Sequence, residues 1–306
     1  VWPISLEIAG ARLSLNQDGS VQLMLGATEI GQGADTVFSQ MVAETLHTDM
    51  EHVHIKTVQD TDVSPFDTGA YASRQSFVTG TAVRHCAEIL RDKILAYAKT
   101  LLPEIDTREL TLKDNWIWAG DEQAISLAAL AEESYYSLTN SSVLTAEVSE
   151  QVKKNTIATG CCFAEVEVDI KLGKIKILHI INVHDSGKLL NPQLAEMQVH
   201  GGMSMGMGYG ISEQLILDEK TGRPLNGNLL DYKLMTMLDT PDIKADFVEL
   251  CDPMGPYGNK ALGEPPAIPC APAIRNAVLH ATGVAFYENP LTPQRLIDGF
   301  KKAGLI

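Results

Sequence analysis

Basic residues are in short supply in this chain: 24 Lys and Arg face 39 Asp and Glu over 306 residues, a formal charge of −15. That balance argues against nucleic acid, whose phosphates are neutralised by clustered cations. An anionic membrane surface is disfavoured for the same reason. Cysteine is sparse as well. The five cysteines are an odd number, Cys161 and Cys162 are adjacent, and no Cys-x-x-Cys occurs. Neither an iron–sulfur cluster nor a zinc knuckle is therefore indicated. Reduced thiols in a cytoplasmic setting are the simplest account. Long apolar runs are missing too. The most apolar glycine-rich stretch, VHGGMSMGMGYGI, is short and follows Glu196, so no signal peptide or membrane span is in view. The chain starts at Val1 rather than Met, as expected of a piece of something longer.

What is present describes an ordinary core-forming chain. Hydrophobic residues make up 45% and charged residues 21%, and the length suits two modest domains or one large α/β unit. Residues 6–25 alternate apolar and polar around NQDGS, the signature of a hairpin with an Asp-Gly turn. Val37, Phe38, Met41, Val42 and Leu46 recur at helical spacing. HVHIKTV predicts a strand, and a long helix is expected from Phe77 to about Leu102, ended by Pro103. The β and helical stretches LTLKDNWIWAG and SLAALAEESYY follow. They lead to the polar segment LTNSSVLTAEVSEQVKKNTIATG, where a boundary is expected. The second half opens on AEVEVDIKLGKIKILHIINV, a hairpin with Ala164, Val166, Val168 and Ile170 on one face. NPQLAEMQVHGGMSMGMGYGISEQ reads as a glycine-studded helix, and QLILD and KADFVEL as further strands. Two lobes of α/β or α+β type, residues 1–155 and 156–306, account for this order.

Several stretches carry both a structural and a chemical reading. In LGATEIGQGAD a strand runs into Gly26, Gly31 and Gly33 directly before a helix, which exposes backbone N–H groups to an anion such as phosphate. The spacing is not GxGxxG and no GK[ST] follows, so neither a dinucleotide fold nor a P-loop is supported. Gln32 places an amide, both donor and acceptor, inside that turn. In DTGAYASRQS the small residues Gly69, Ala70, Ala72 and Ser73 uncover backbone amides, and Arg74 adds a cation. The alternative there is a helix N-cap. GMSMG, Gly202 to Gly206, matches the GxSxG elbow of serine hydrolases, with His184 and Asp185 as conceivable partners. That elbow needs a strand before its serine, and a helix is predicted here. His52 and His54 share one face of the predicted strand, but no third metal ligand accompanies them.

KALGEPPAIPCAPAIRN sets one carboxylate, Glu264, between Gly263 and two prolines. Proline fixes its own φ and pushes the preceding residue towards extended backbone, while Gly263 lets the chain pass close to something bulky. The plain alternative is a stiff turn into the following helix.

Taken together, GATEIGQGADTVFSQMVAETL, DTGAYASRQS, NVHDSGKLLNPQLAEMQVHGGMSMGMG, NLLDYK and GEPP, in that order, resemble the molybdenum-binding subunit of the xanthine dehydrogenase family, the molybdenum hydroxylases. The likeness runs nearly end to end. It implies a two-lobed molybdopterin-binding fold and a molybdopterin cofactor carrying Mo, in bacteria as the cytosine dinucleotide. Because the pterin holds the metal, no protein ligand to it is implied. By resemblance Gly31 and Gln32 lie beside the metal's oxo group. Gly69, Ala70, Ala72 and Ser73 contact pterin and phosphates, Gln198 bonds the pterin, and Gly263 lines the cofactor. Glu264 falls at the position of the general base for hydroxylating a purine ring carbon with oxygen from water. A base of this kind must sit within about 3 Å of its proton, which suits a rigid carrier. The family's further N-terminal half, with a GGFGGK-like loop and purine-gripping residues, has no counterpart here. This chain resembles a C-terminal half, expected to partner that N-terminal half and iron–sulfur (2Fe-2S) and FAD domains or subunits. It is also expected to bind little or no molybdenum alone. Aldehyde, nicotinate and other N-heterocycle hydroxylases remain rivals within the family. A serine hydrolase or a non-catalytic binding subunit are the rivals outside it.

Overall fold

The Asp18-Gly19 turn closes a hairpin between β1 (Ile8–Leu15) and β2 (Val21–Leu25) in the computed structural model, which describes residues 7–56, 60–106 and 109–306. Asp18 Oδ1 accepts from Ser20 N at 2.9 Å, and Asn16 N donates to Ser20 O at 2.8 Å, so one side-chain and one backbone bond fix the turn. Leu13 pairs with Leu23 and Leu15 with Val21, all on the buried face. Leu6 of the predicted hairpin, and Thr57 and Val58 of the predicted HVHIKTV strand, lie outside the described residues.

The chain divides into two compact units. The first holds Val1–Thr156 and a returning segment, Cys251–Ala261, which a split at residue 155 would assign to the second. Its main sheet has the order β3-β2-β1-β7, with β3 Val53–Ile55 and β7 Thr145–Gln151. Strand β7 lies within the polar segment where the boundary was expected. It reads as polar because Glu147, Ser149 and Gln151 alternate outward while Ala146 is buried against β1. His52 lies in a 3₁₀ turn, Met50–His52, ahead of β3, so His52 and His54 do not share a strand face as predicted.

Helix α1 (Ala34–Leu46) buries Val37, Phe38, Met41, Val42 and Leu46. Helix α2 (Gln75–Leu101) starts two residues before the predicted Phe77 and stops ahead of Pro103, whose ring cannot continue it. Strands β4 (Leu110–Lys113), β5 (Trp116–Ala119) and β6 (Glu122–Ser126) form a small antiparallel sheet, and α3 (Leu127–Tyr136) follows. The returning segment docks where Tyr257 Oη donates to Met41 O at 2.9 Å.

The second unit holds Ile157–Leu250 and Leu262–Ile306. Its sheet has the order β10-β9-β8, from β8 Thr159–Asp169, β9 Lys174–Asp185 and β10 Asp242–Phe247. Helix α4 (Pro192–Ile211) is capped by Asn191, whose Oδ1 accepts from Leu194 N at 3.0 Å. Helices α5 (Cys270–Thr282) and α6 (Pro293–Lys302) complete it. One core joins Ile177 and Ile180 of β9 to Val199, Met203 and Met207 of α4 and Ile274 of α5. QLILD forms no strand. Leu217 bridges Pro224, flanked by Asp218 N on Arg223 O at 2.9 Å and Leu225 N on Ile216 O at 2.8 Å, a short pairing outside both sheets. The mixture of helices with partly antiparallel sheets is the α+β class expected. Among the described residues, no helix is long and apolar enough to cross a membrane.

Candidate functional site

The residues singled out in sequence fall in both units. Gly31, Gln32, Gly69, Ala70, Ala72 and Ser73 lie in the first, and Gln198, Gly263 and Glu264 in the second.

In the first unit the glycine turn before α1 does not wait for an anion. The Glu29 carboxylate already accepts from Gly31 N at 2.7 Å, Gly33 N at 3.2 Å and Asp35 N at 3.0 Å. A chain carboxylate thus satisfies the helix start that was read as a phosphate cradle. Burial pushes the Glu29 carboxyl up, but the N–H bonds from Asp35, Gly31, Gly33 and Ala34 outweigh it and hold it below its usual range. Gln32 is fixed between fold and site. Its Oε1 accepts from Ile30 N at 2.7 Å, and its Nε2 donates to Thr28 O at 2.9 Å and to Gln75 Oε1 at 2.6 Å. Gln75 was not legible as a site residue. It opens α2, far along the chain, and its Nε2 shares the Thr28 carbonyl at 3.1 Å. When Gln32 turns an amide hydrogen towards a ligand, Thr28 O therefore keeps a donor.

The 67–74 loop is organised by Arg74, which is not free to meet a phosphate as expected from the sequence. Its side chain is fully buried. Nε meets Glu7 Oε2 at 2.6 Å, Nη1 meets Asp67 Oδ1 at 2.6 Å and Gly69 O at 3.0 Å, and Nη2 meets Ile8 O at 2.8 Å. Gly69 N donates to Asp67 Oδ1 at 2.9 Å, so that amide is not uncovered as expected. Thr79 Oγ1 donates to Asp67 Oδ2 at 2.9 Å. This buried network lets two consecutive non-glycine residues, Ala72 (φ 50°) and Ser73 (φ 53°), stand in left-handed backbone. Each such residue costs about 1–3 kcal/mol and persists only where its surroundings impose it. Gly31 (φ 96°) has nothing within 4 Å of the place a Cβ would take, and Gly69 (φ 119°) only Tyr71 Cδ1 at 3.8 Å. Open backbone at left-handed Gly31, next to the oriented Gln32 amide, and at left-handed Gly69 fits the close approach of a flat polar ring such as a pterin.

In the second unit Glu264 is exposed and opens a turn in which Ala267 N donates to Glu264 O at 3.0 Å. Gln198 Nε2 donates to Gly263 O at 3.3 Å, so the residue expected to bond the pterin also bonds the backbone just before Glu264. On the other side Asn182 Nδ2 donates to Pro266 O at 2.8 Å, and Cys270 Sγ to the same oxygen at 3.3 Å. The neighbouring Cys162 thiol and burial push the Cys270 thiol up, which keeps it a donor. Cys162 and Cys270 are both free, as are Cys86, Cys161 and Cys251.

The GMSMG segment serves packing. Gly202 lies against Pro266, and a Cβ there would come within 2.6 Å of the proline's Cβ. At Gly206 it would come within 2.5 Å of Ala267 O. Ser204 sits mid-helix in α4, with no strand before it, so the nucleophile elbow is not formed. Ser204→Ala is expected to leave turnover of the complete enzyme unchanged, and a fluorophosphonate probe to leave Ser204 unlabelled on peptide mapping. A labelled Ser204 would restore the hydrolase reading. Among the described residues no group of three or more His, Cys, Asp or Glu is placed to hold a metal ion.

Comparisons with known proteins agree with this reading. A family profile described as molybdopterin cofactor-binding domain matches residues 2–241. The chain is similar to the xanthine dehydrogenase molybdenum-binding subunit of Escherichia coli O157:H7, 51% identical over 307 residues, covering all of this chain and 41% of that protein. It is similar to the aldehyde oxidoreductase molybdenum-binding subunit of the same organism, 29% identical, covering 96% of this chain and 39% of that one. The fold matches quinoline 2-oxidoreductase from Pseudomonas putida 86 with a TM-score of 0.87 and 25% identity, covering 96% of this chain and 38% of that one. The chain thus spans about two-fifths of the length of the curated relatives it matches. It belongs to the molybdopterin cofactor-binding domain family.

Proposed function

We propose that this chain is the part of a xanthine dehydrogenase-like catalytic subunit that carries the general base and part of the pterin cradle. The observation that carries the proposal is the Glu264 carboxylate, exposed on a turn held from both sides by Gln198 and Asn182. The molybdenum-bearing pterin, in the cytosine dinucleotide form, supplies two-electron oxidation and water-derived oxygen when bound. Glu264 takes the proton released as oxygen bonds to the purine ring carbon, and the turn fixes where its oxygens stand. Gln32 would offer an Nε2 hydrogen to the metal side of the cofactor, with Gln75 keeping the amide in orientation. Gly31 would stand with Gln32 on the metal side, Gly69, Ala70, Ala72 and Ser73 would contact pterin and phosphates, Gly263 would line the cofactor, and Gln198 would offer its carboxamide to the pterin. Metal chemistry of this kind needs no ligand from the chain. The remaining part of the molybdenum subunit, with 2Fe-2S and FAD subunits or domains that accept the electrons, completes the cytoplasmic enzyme.

The complete enzyme, assayed in ¹⁸O-labelled water against xanthine, hypoxanthine, nicotinate and an aromatic aldehyde, is expected to label a hydroxylated purine. Labelled carboxylate from the aldehyde alone would assign the chain to the aldehyde branch. The similarity to an aldehyde oxidoreductase subunit makes that the second reading.

A further inference from the structure

We propose that Asn182 is a positioning residue for Glu264, acting through the carbonyl of Pro266. The inference rests on the reading of Glu264 as the base.

Asn182 is fully buried on β9, the central strand of its sheet, with Cys162 of β8 and Ala245 of β10 as its register partners. A buried amide in the middle of a three-stranded sheet is costly unless its polar atoms are used. The Nδ2 group is used, on Pro266 O at 2.8 Å. The Oδ1 atom has no partner among the described residues. A sheet core gains nothing from such a residue that leucine would not supply, so the Pro266 contact is the reason for an amide here.

That contact acts close to the carboxylate. Pro266 is two residues beyond Glu264, inside the turn closed by Ala267 N on Glu264 O. Its carbonyl is held by Asn182 and Cys270, and its ring abuts Gly202 of α4. Gln198 holds Gly263 O, one residue before Glu264. Two carboxamides from separate elements therefore bracket the Glu264 backbone, and prolines remove most of the freedom left between them. A base loses rate steeply when its oxygens shift by about 1 Å, even where the changed residue lies away from the chemistry. Asn182 touches neither substrate nor cofactor in this role. It sets where Glu264 stands.

The test uses the complete molybdenum-loaded enzyme carrying Asn182→Leu, which removes the donor and also the unpartnered oxygen. Three quantities are measured: kcat and KM for the purine, molybdenum content, and the hydrogen-exchange rate of the Ala267 amide. The expected result is a kcat lowered about tenfold with KM within about twofold. Metal content stays unchanged, and Ala267 exchanges at least about tenfold faster. Unchanged exchange, or faster exchange with unchanged kcat, overturns the proposal. If the leucine variant does not accumulate, Asn182→Ser, whose hydroxyl is too short to span to Pro266 O, is read by the same three measurements. Glu264→Gln is assayed beside it. Full turnover in that variant removes Glu264 as the base, whereas the Ala267 exchange rate still reports whether Asn182 holds the turn.

Discussion

Glu264→Gln in the complete enzyme is expected to lower kcat by about 10²–10⁴-fold while molybdenum and pterin content stay at wild-type levels. Glutamine has the same shape and leaves the turn alone, because the bond that closes it uses the backbone oxygen of residue 264. Gln198 and Asn182 likewise grip the carbonyls of Gly263 and Pro266, not the Glu264 side chain. What changes is proton affinity: a carboxamide cannot take a proton at neutral pH. The expected signature is thus a loss in kcat without a loss of cofactor, measured by steady-state kinetics and metal analysis on one preparation. Turnover within about threefold of wild type would remove Glu264 from the chemistry. A parallel loss of metal would make it a cofactor-binding residue instead.

Arg74→Met is expected to destabilise the first unit by about 3–5 kcal/mol, the usual cost of deleting one partner of a buried ion pair. The Glu7 and Asp67 side chains it neutralises are 2% and 0% exposed, so neither carboxylate can recover water when the guanidinium is gone. Four bonds go with it, two of them to the backbone of Ile8 and Gly69. Denaturant unfolding followed by the fluorescence of Trp116 and Trp118, both in the first unit, reads this directly. Arg74→Lys is expected to recover only part of the loss, since an ammonium cannot reproduce the planar fork. A change below about 1 kcal/mol in the methionine variant would mean the network adds little beyond packing.

Much of the scaffold was legible because it depends on local rules. The Asp18-Gly19 hairpin, the buried stripe of α1, the stop of α2 before Pro103 and the alternation of β8 all follow from turn chemistry and periodicity. Strand β7 was hidden because its register with β1, not its composition, makes it a strand. QLILD misled for the opposite reason: its apolar residues carry a strand-like pattern, but residues 216–218 pair only with the short return at 223–225 and join neither unit's sheets. Within the candidate site, the special residues Gly31, Gln32, Gly69 and Glu264 stood out by type and neighbours. Their partners did not. Glu29 on the helix start, Gln75 against Gln32 and Asn182 behind Pro266 are ordinary residues until the fold brings them close.

The sequence alone determined the elements, the turns and the order of motifs that tie the chain to molybdopterin-binding proteins, because backbone preference and residue type act over a few positions. Only the tertiary structure decided that Arg74 is a buried strut instead of a phosphate-binding cation, and that Glu29 satisfies the helix start read as an anion cradle. A charge's role is set by what surrounds it. In this chain the deciding partner of Arg74, Glu7, lies 67 positions away.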